Sequence, residues 1–258
     1  MKKYFLIAAI ALFGSSLVQA QMPSQGFSPG ISDAMAKVFG TNLYFSATVH
    51  TDVSIPAQNQ NVSMTGKTYF YGGDTRSEMD MTQMTGNSIP PQALTQMKAM
   101  GMDKVVAISQ NNKKVVYMVY PGLNAYAKMQ EPDAASSTNS VKVDTAELGK
   151  DTVDGHPCLK KQFTITDSTA GQHLTMITWT ATDLKDIPIK VQQTSTTPDG
   201  AGNTSTTMSY TDINLAKPDA SLFAPPAGYT PYSDVQTMMQ TEMMKKMGPG
   251  MGAPGAPQ

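Results

Sequence analysis

From Asn42 to Leu215 the chain is a succession of period-two segments rich in Thr, Val, Tyr and Phe, most of them joined by links too short to hold a helix. Alternation of this kind marks strands with one buried face, and serial strands without intervening helices pair as antiparallel meanders rather than as parallel crossover units. The pattern predicts strands near 43–55, 62–71, 74–84, 104–110, 114–120, 124–129, 146–153, 159–166, 173–182, 187–197 and 205–215. Turn chemistry punctuates them at Gly72-Gly73-Asp74, Asn111-Asn112 and Pro121-Gly122, where residues tolerant of tight or left-handed backbone cluster. The expected fold is mainly antiparallel β, a large curved sheet or open barrel.

Helical signals interrupt this pattern at few places. Ser32 is a good N-cap for a short helix over Asp33 to Phe39, closed by Gly40. Between two strands, the prolines at 90 and 91 followed by Leu94, Met97 and Met100 at helical spacing describe a short helix placed to lie over the sheet. Glu131 to Val141 reads as a flexible insertion, and Thr196 to Ser205 as a long hairpin tip. Ser233 is expected to cap a last helix from Asp234 to Met247, on which Met239, Met243 and Met247 make an apolar stripe beside Lys245 and Lys246. Gly248-Pro249 stops it.

The first twenty residues carry Lys2-Lys3, an apolar run from Tyr4 to Phe13 and the small-residue end Val18-Gln19-Ala20, the three parts of a cleavable secretory signal. A lipid anchor would need a cysteine after Ala20, and Gln21 stands there, so a periplasmic protein without a lipid anchor is expected. The organisation predicted is a signal over 1–20, a linker over 21–30, one domain over 31–232, a Met-rich helix over 233–247 and a disordered tail over 248–258.

Composition narrows the function. Of 258 residues 40% are hydrophobic and 15% charged, enough to bury a sizeable core. Nineteen Lys and Arg against 20 Asp and Glu provide no basic field for a phosphate backbone, so no nucleic-acid partner is expected. No glycine-rich phosphate loop, paired-cysteine knuckle or nucleophile elbow occurs. The single cysteine, Cys158, excludes an intramolecular disulfide. It reads as a small buried hydrophobe, with a nucleophile or a metal ligand as the other readings. The histidines, His50, His156 and His173, give it no spaced base, so no catalytic residues, no metal and no cofactor are expected. Trp179 reads as a core anchor.

A second layer of signal lies in three short motifs. Asp154-Gly155-His156-Pro157-Cys158-Leu159-Lys160-Lys161 opens a strand. Trp179 with Asp183-Leu184-Lys185-Asp186-Ile187-Pro188-Ile189-Lys190-Val191 forms a strand, turn and strand, and Asp219-Ala220-Ser221-Leu222-Phe223-Ala224-Pro225-Pro226-Ala227-Gly228-Tyr229 closes the domain. In this order they resemble a group of bacterial exported proteins of unknown function that is similar to the LolA/LolB outer-membrane lipoprotein-carrier superfamily, over roughly Ile31 to Tyr232. The resemblance implies an incomplete, strongly bent half-open barrel whose concave face is apolar and partly covered by short helices. It also implies a cavity suited to an acyl chain, with the helix near 91–100 as its lid. The carriers have a strand arginine that pins the lid, and the one arginine here is Arg76. Strand alternation instead groups Arg76 with Glu78 and Asp80, which reads as a solvated face.

Twenty methionines are the compositional outlier, clustered at Met79, Met81 and Met84, at Met97, Met100 and Met102, and from Met238 to Met247. Flexible thioethers serve as core filler, as an adaptable apolar surface, or as soft ligands for Cu(I). The function expected from these observations is non-enzymatic binding of a hydrophobic small molecule or lipid, with Leu94, Met97, Met100, Met79 and Met81 as ligand-binding residues. The alternatives are an envelope interaction or structural protein that reaches an envelope protein or membrane surface through the C-terminal helix, and a Cu(I)-binding protein.

Overall fold

The computed structural model describes residues 43–56, 59–87, 90–130, 141–167, 172–196 and 203–247. The expected signal, linker and first short helix, residues 131–140 of the expected insertion, residues 197–202 of the hairpin tip and the C-terminal tail lie outside the described residues. In chain order the elements are β1 (Tyr44–Ile55), β2 (Gln60–Tyr71), β3 (Asp74–Asp80), β4 (Thr85–Gly86), α1 (Pro91–Met100), β5 (Lys104–Gln110), β6 (Val115–Tyr120) and β7 (Ala125–Gln130). There follow β8 (Val141–Val153), β9 (His156–Asp167), β10 (Gln172–Ala181), β11 (Ile187–Thr196), β12 (Asn203–Asn214), β13 (Thr230–Tyr232) and α2 (Val235–Met247).

All the strands join one 13-stranded sheet in the order β13-β7-β6-β5-β3-β2-β1-β12-β11-β10-β9-β8, with β4 paired to β2 off this path. Every pairing is antiparallel except β13 with β7. The chain thus makes two meanders and splices them in the middle, where β1 pairs with β12 along Val49 to Tyr210 and Val53 to Thr206. The end strands β13 and β8 are not neighbours, so the sheet stays open. This is the half-open antiparallel architecture expected.

Register assigns the core to faces. Cross-strand partners share a face, so Val49 lies with Gly66 and Tyr210, Gly66 with Met79, and Met79 with Val105. This first face carries two apolar clusters. One contains Phe45, Ala47, Met176, Ile189, Val191 and Tyr210; the other contains Met81, Met84, Val105, Met118, Ala127 and Met238. The opposite face carries Val106, Ile108 and Val119, covered by Phe223 from the 3-10 turn Ala220–Phe223.

Several boundaries differ from the sequence reading, each for a local reason. The strand expected over 74–84 stops at Asp80, whose carboxylate accepts from Thr82 N at 3.0 Å and starts a 3-10 turn over Met81–Gln83. Strand β8 begins at Val141, inside the expected insertion. It is an edge strand, exposed throughout 142–150. Its charges, Lys142, Asp144, Glu147 and Lys150, protect that edge and hide the alternation that a buried face would show. Asp234 rather than Ser233 caps α2, accepting from Thr237 N at 2.7 Å.

Candidate functional site

Both helices serve the second cluster of the first face, and they are held very differently. In α2, Met238 is fully buried, while Val235 and Met239 pack against the same cluster. Glu242, one turn on, is buried with a partner on either side. Its Oε1 accepts from Tyr232 Oη at 2.6 Å and from Lys245 Nζ at 2.7 Å. The inward stripe of α2 is therefore Val235, Met238, Met239 and Glu242, and Met244 on the outside is 69% exposed. The sequence reading picked Met239, Met243 and Met247 because a glutamate interrupts the real stripe. Only the polar network reveals Glu242 as an inward residue, and Tyr232 comes from another element.

The Lys245 ammonium, with the Tyr232 hydroxyl next, holds the Glu242 carboxyl below its usual range. A carboxyl lowered in the folded state contributes stability that is fully present above its ordinary value, near 4.5, and is lost as the pH falls through the folded value. Thermal melts between pH 6 and pH 3 should therefore show the difference between the wild type and Glu242→Gln shrinking as the acid limit is approached. A difference constant with pH would mean that the carboxylate charge does not hold α2.

Helix α1 is a looser cover. No residue of α1 is buried. Leu94, Met97 and Met100 are half-buried, and Met97 packs against the cluster that contains Met81. The N-terminal end has no side-chain cap, the position being Pro90. The C-terminal end is pinned. Gly101 closes the helix in a left-handed conformation, φ 74°, with its N–H on Lys98 O. Met100 O accepts from Lys246 Nζ of α2 at 2.7 Å.

The five residues expected to bind ligand thus fall as follows. Met81 is buried in the cluster and Met97 packs on it; Met79 is half-buried on the same sheet face, opposite Gly66 and Val105. Met100 lines a cavity of about 50 Å³ with Met102, Leu123, Met239, Met243 and Lys246. Leu94 is half-buried on α1. The expected ligand-binding set left out Met84 and Met238, named there only among the methionine clusters, and missed Met118 and Val105; long-range pairing alone brings these four to one place. At about 50 Å³ the cavity is far below the roughly 300 Å³ at which organic ligand sites begin. With α1 seated, the site is closed.

Other singled-out residues have structural settings. Arg76 is not on a solvated face: its side chain is 14% exposed, Nε bonds Glu78 at 2.7 Å and Nη1 donates to Leu222 O at 2.9 Å. It pins the Ala220–Phe223 turn to the second face, not α1 to the first. Cys158 is buried, its Sγ donating to the backbone oxygen of His156 at 3.4 Å, and burial pushes the thiol up. The His156 ring faces Asp183 instead, at 2.8 Å, so thiol and imidazole do not meet. Trp179 is buried, donates from Nε1 to Asp151 at 2.9 Å and lies beneath the ammonium groups of Lys160 and Lys190. Among the described residues no group of three or more His, Cys, Asp or Glu is placed to hold a metal ion. Nor is any described helix long and apolar enough to cross a membrane.

Comparison with known proteins adds the following. The model of DUF4412, a domain of unknown function, matches residues 45–195, which runs from β1 into β11. No curated protein matches the chain. Among solved structures, a DUF1329 family protein from Desulfovibrio piger is 12% identical at a TM-score of 0.30, covering 77% of this chain and 98% of that one. The Mycobacterium tuberculosis lipoprotein LppX is 12% identical at a TM-score of 0.33, covering 72% and 96%. MucB, solved in complex with MucA(peri), is 12% identical at 0.33, covering 72% and 56%. At these TM-scores no function is transferred.

Proposed function

The chain belongs to the DUF4412 family of domains of unknown function, and from what its own residues build we propose that it is a periplasmic, non-enzymatic binding protein for a hydrophobic ligand such as a lipid or acyl chain. One observation carries the reading: α1 covers a methionine-lined apolar face yet buries none of its own residues. A helix that existed only to complete the core would bury a side chain, as α2 does with Met238. A helix pinned at one end and seated through half-buried Leu94, Met97 and Met100 can lift, at the cost of exposing little apolar surface of its own. What it uncovers is Met81, Met84 and their neighbours, flexible thioethers that repack around variable apolar shapes.

The N-terminal signal motif supports export, and the open sheet leaves the apolar face reachable from its edge. The competing reading, in which the C-terminal helix itself binds a membrane or partner through Met239, Met243 and Met247, is weakened, since Met239 packs against the buried cluster and lines the small cavity with Met243. Mass spectrometry of an organic extract from protein purified without detergent should find a lipid or other hydrophobic molecule in stoichiometric amount. Met97→Asp with Met100→Asp should abolish its retention while leaving the sheet folded, because two charges cannot close over an apolar ligand. Retention unchanged in the double variant would sink the lid reading.

A further inference from the structure

The cavity where the end of α1 meets α2 is too small for an organic ligand, yet its lining is chemically specific. Four of its residues are methionines, Met100, Met102, Met239 and Met243, and Leu123 of the 3-10 turn Pro121–Leu123 adds only hydrocarbon. The thioethers arrive as two pairs. Met100 ends α1 and Met102 follows Gly101, whose left-handed backbone brings Met102 N back onto Met97 O at 2.8 Å. Met239 and Met243 lie one turn apart on α2, and residues four apart share a helix face. All four methionines are half-buried.

Size and donor type point the same way. A cavity of about 50 Å³ exceeds the roughly 10–15 Å³ that one water-sized particle needs, so a single ion fits with α1 seated. Thioethers are soft donors without the negative charge of a thiolate. They offer little to a hard or borderline divalent ion, which seeks carboxylate, imidazole or thiolate, and they suit Cu(I). A monovalent ion also carries the smaller desolvation cost into an apolar lining. The polar members of the lining are engaged elsewhere: Glu242 Oε1 accepts from Tyr232 and Lys245, and the Lys246 ammonium donates to Met100 O at 2.7 Å. Of these charges the two ammonium groups are exposed to water, which screens them, while the Glu242 carboxylate is buried and is screened less. The core methionines differ. Met81, Met84, Met118 and Met238 are buried in packed hydrocarbon, and none of them lines the cavity.

We propose that Met100, Met102, Met239 and Met243 form a binding site for one soft monovalent metal ion, Cu(I), with Ag(I) as its redox-inert probe. No redox step is involved, since the ion enters and leaves as a monovalent cation. With a pair of donors on either side of the junction, the ion clamps the pinned end of α1 to α2. The site goes beyond the lipid reading and stands without it: the ion takes the cavity of the seated helix, whereas a lipid needs the helix lifted.

The test uses the whole chain. Cu(I) is titrated anaerobically, with ascorbate present, against a competing chromophoric chelator, and Ag(I) is followed through the NMR signals of isotope-labelled methionine methyl groups. Saturable binding is expected, with the methyl signals of Met100, Met102, Met239 and Met243 shifted and that of the exposed Met244 unmoved. Zn(II) should leave those four signals in place. Met239→Leu with Met243→Leu keeps the apolar volume and removes two of the four sulfurs. It should weaken Cu(I) by more than the roughly 10–100-fold that loss of a mere supporting partner costs, while Met244→Leu leaves the affinity unchanged. Bound Ag(I) should also slow amide exchange from Leu94 to Met100 in the wild type and not in the double variant. No saturable Cu(I) binding, Ag(I) shifts confined to other methionines, or full affinity in the folded double variant would each overturn the proposal.

Discussion

Met238→Ala is expected to lower the unfolding free energy by about 2–5 kcal/mol, the range for truncating a buried methionine, whereas Met244→Ala should stay within about 0.5 kcal/mol. Both are methionines on α2, six residues apart, and their intrinsic helix preferences are the same. Only their surroundings differ. Met238 is fully buried in the cluster that also holds Met81, Met84, Val105 and Met118, while Met244 is 69% exposed. Truncating the first removes the thioether and leaves a void against strands β5 to β7; truncating the second removes nothing but a side chain in water. Urea midpoints of the two variants against the wild type measure the contrast. If α2 were an appendage recruited for membranes or partners, the two substitutions would have equal and small effects, so the comparison also bears on what the C-terminal helix is for.

How much of this was legible in the sequence depends on how far apart the interacting residues lie. The strand succession was readable because alternation and turn residues are local, and so was α1, where Pro91 at the start and Gly101 at the end bracket three apolar residues at helical spacing. What alternation cannot show is which strands meet. The splice of β1 to β12 and the parallel pairing of β13 with β7 join segments about a hundred or more residues apart, and no turn motif encodes them. Arg76 is the sharpest instance. Its alternation with Glu78 and Asp80 is the pattern of a wetted face, yet Leu222, 146 residues later, caps it with a backbone carbonyl. Strand β8 erred in the opposite sense: the reading began it at 146 rather than Val141, because as an edge its first residues have no buried face to advertise. At the methionine site the composition pointed to the right region. The polar anchors that distinguish the fixed helix from the loose one, Glu242 with Tyr232 and Lys245, were invisible because their meaning is geometric.

Gly101→Ala should be among the most damaging single-methyl additions in the chain, at about 2–5 kcal/mol when left-handed strain of about 1–2 kcal/mol and overpacking of about 1–3 kcal/mol are combined. The backbone there has φ 74°, and a methyl group would sit 2.5 Å from Gly122 O and 2.9 Å from Lys246 Nζ. The first neighbour is backbone and cannot turn aside; the second is the ammonium that holds Met100 O. Gly122→Ala separates the two contributions. Its φ lies outside the left-handed region, but a methyl there meets the Gly101 backbone just as closely, so it should cost only the overpacking share. The order expected in thermal melts is wild type, then Gly122→Ala, then Gly101→Ala. The two glycines also make up the contact on which α1 would pivot, the other end having no cap. Wedging them apart should therefore loosen α1 itself, seen as faster amide exchange from Leu94 to Met100 and as loss of bound ligand from the extract, in a variant whose strands keep their protection. Melts of both alanine variants coinciding with the wild type would mean the two backbones are not in contact, and α1 would then be without the hinge that a lid requires.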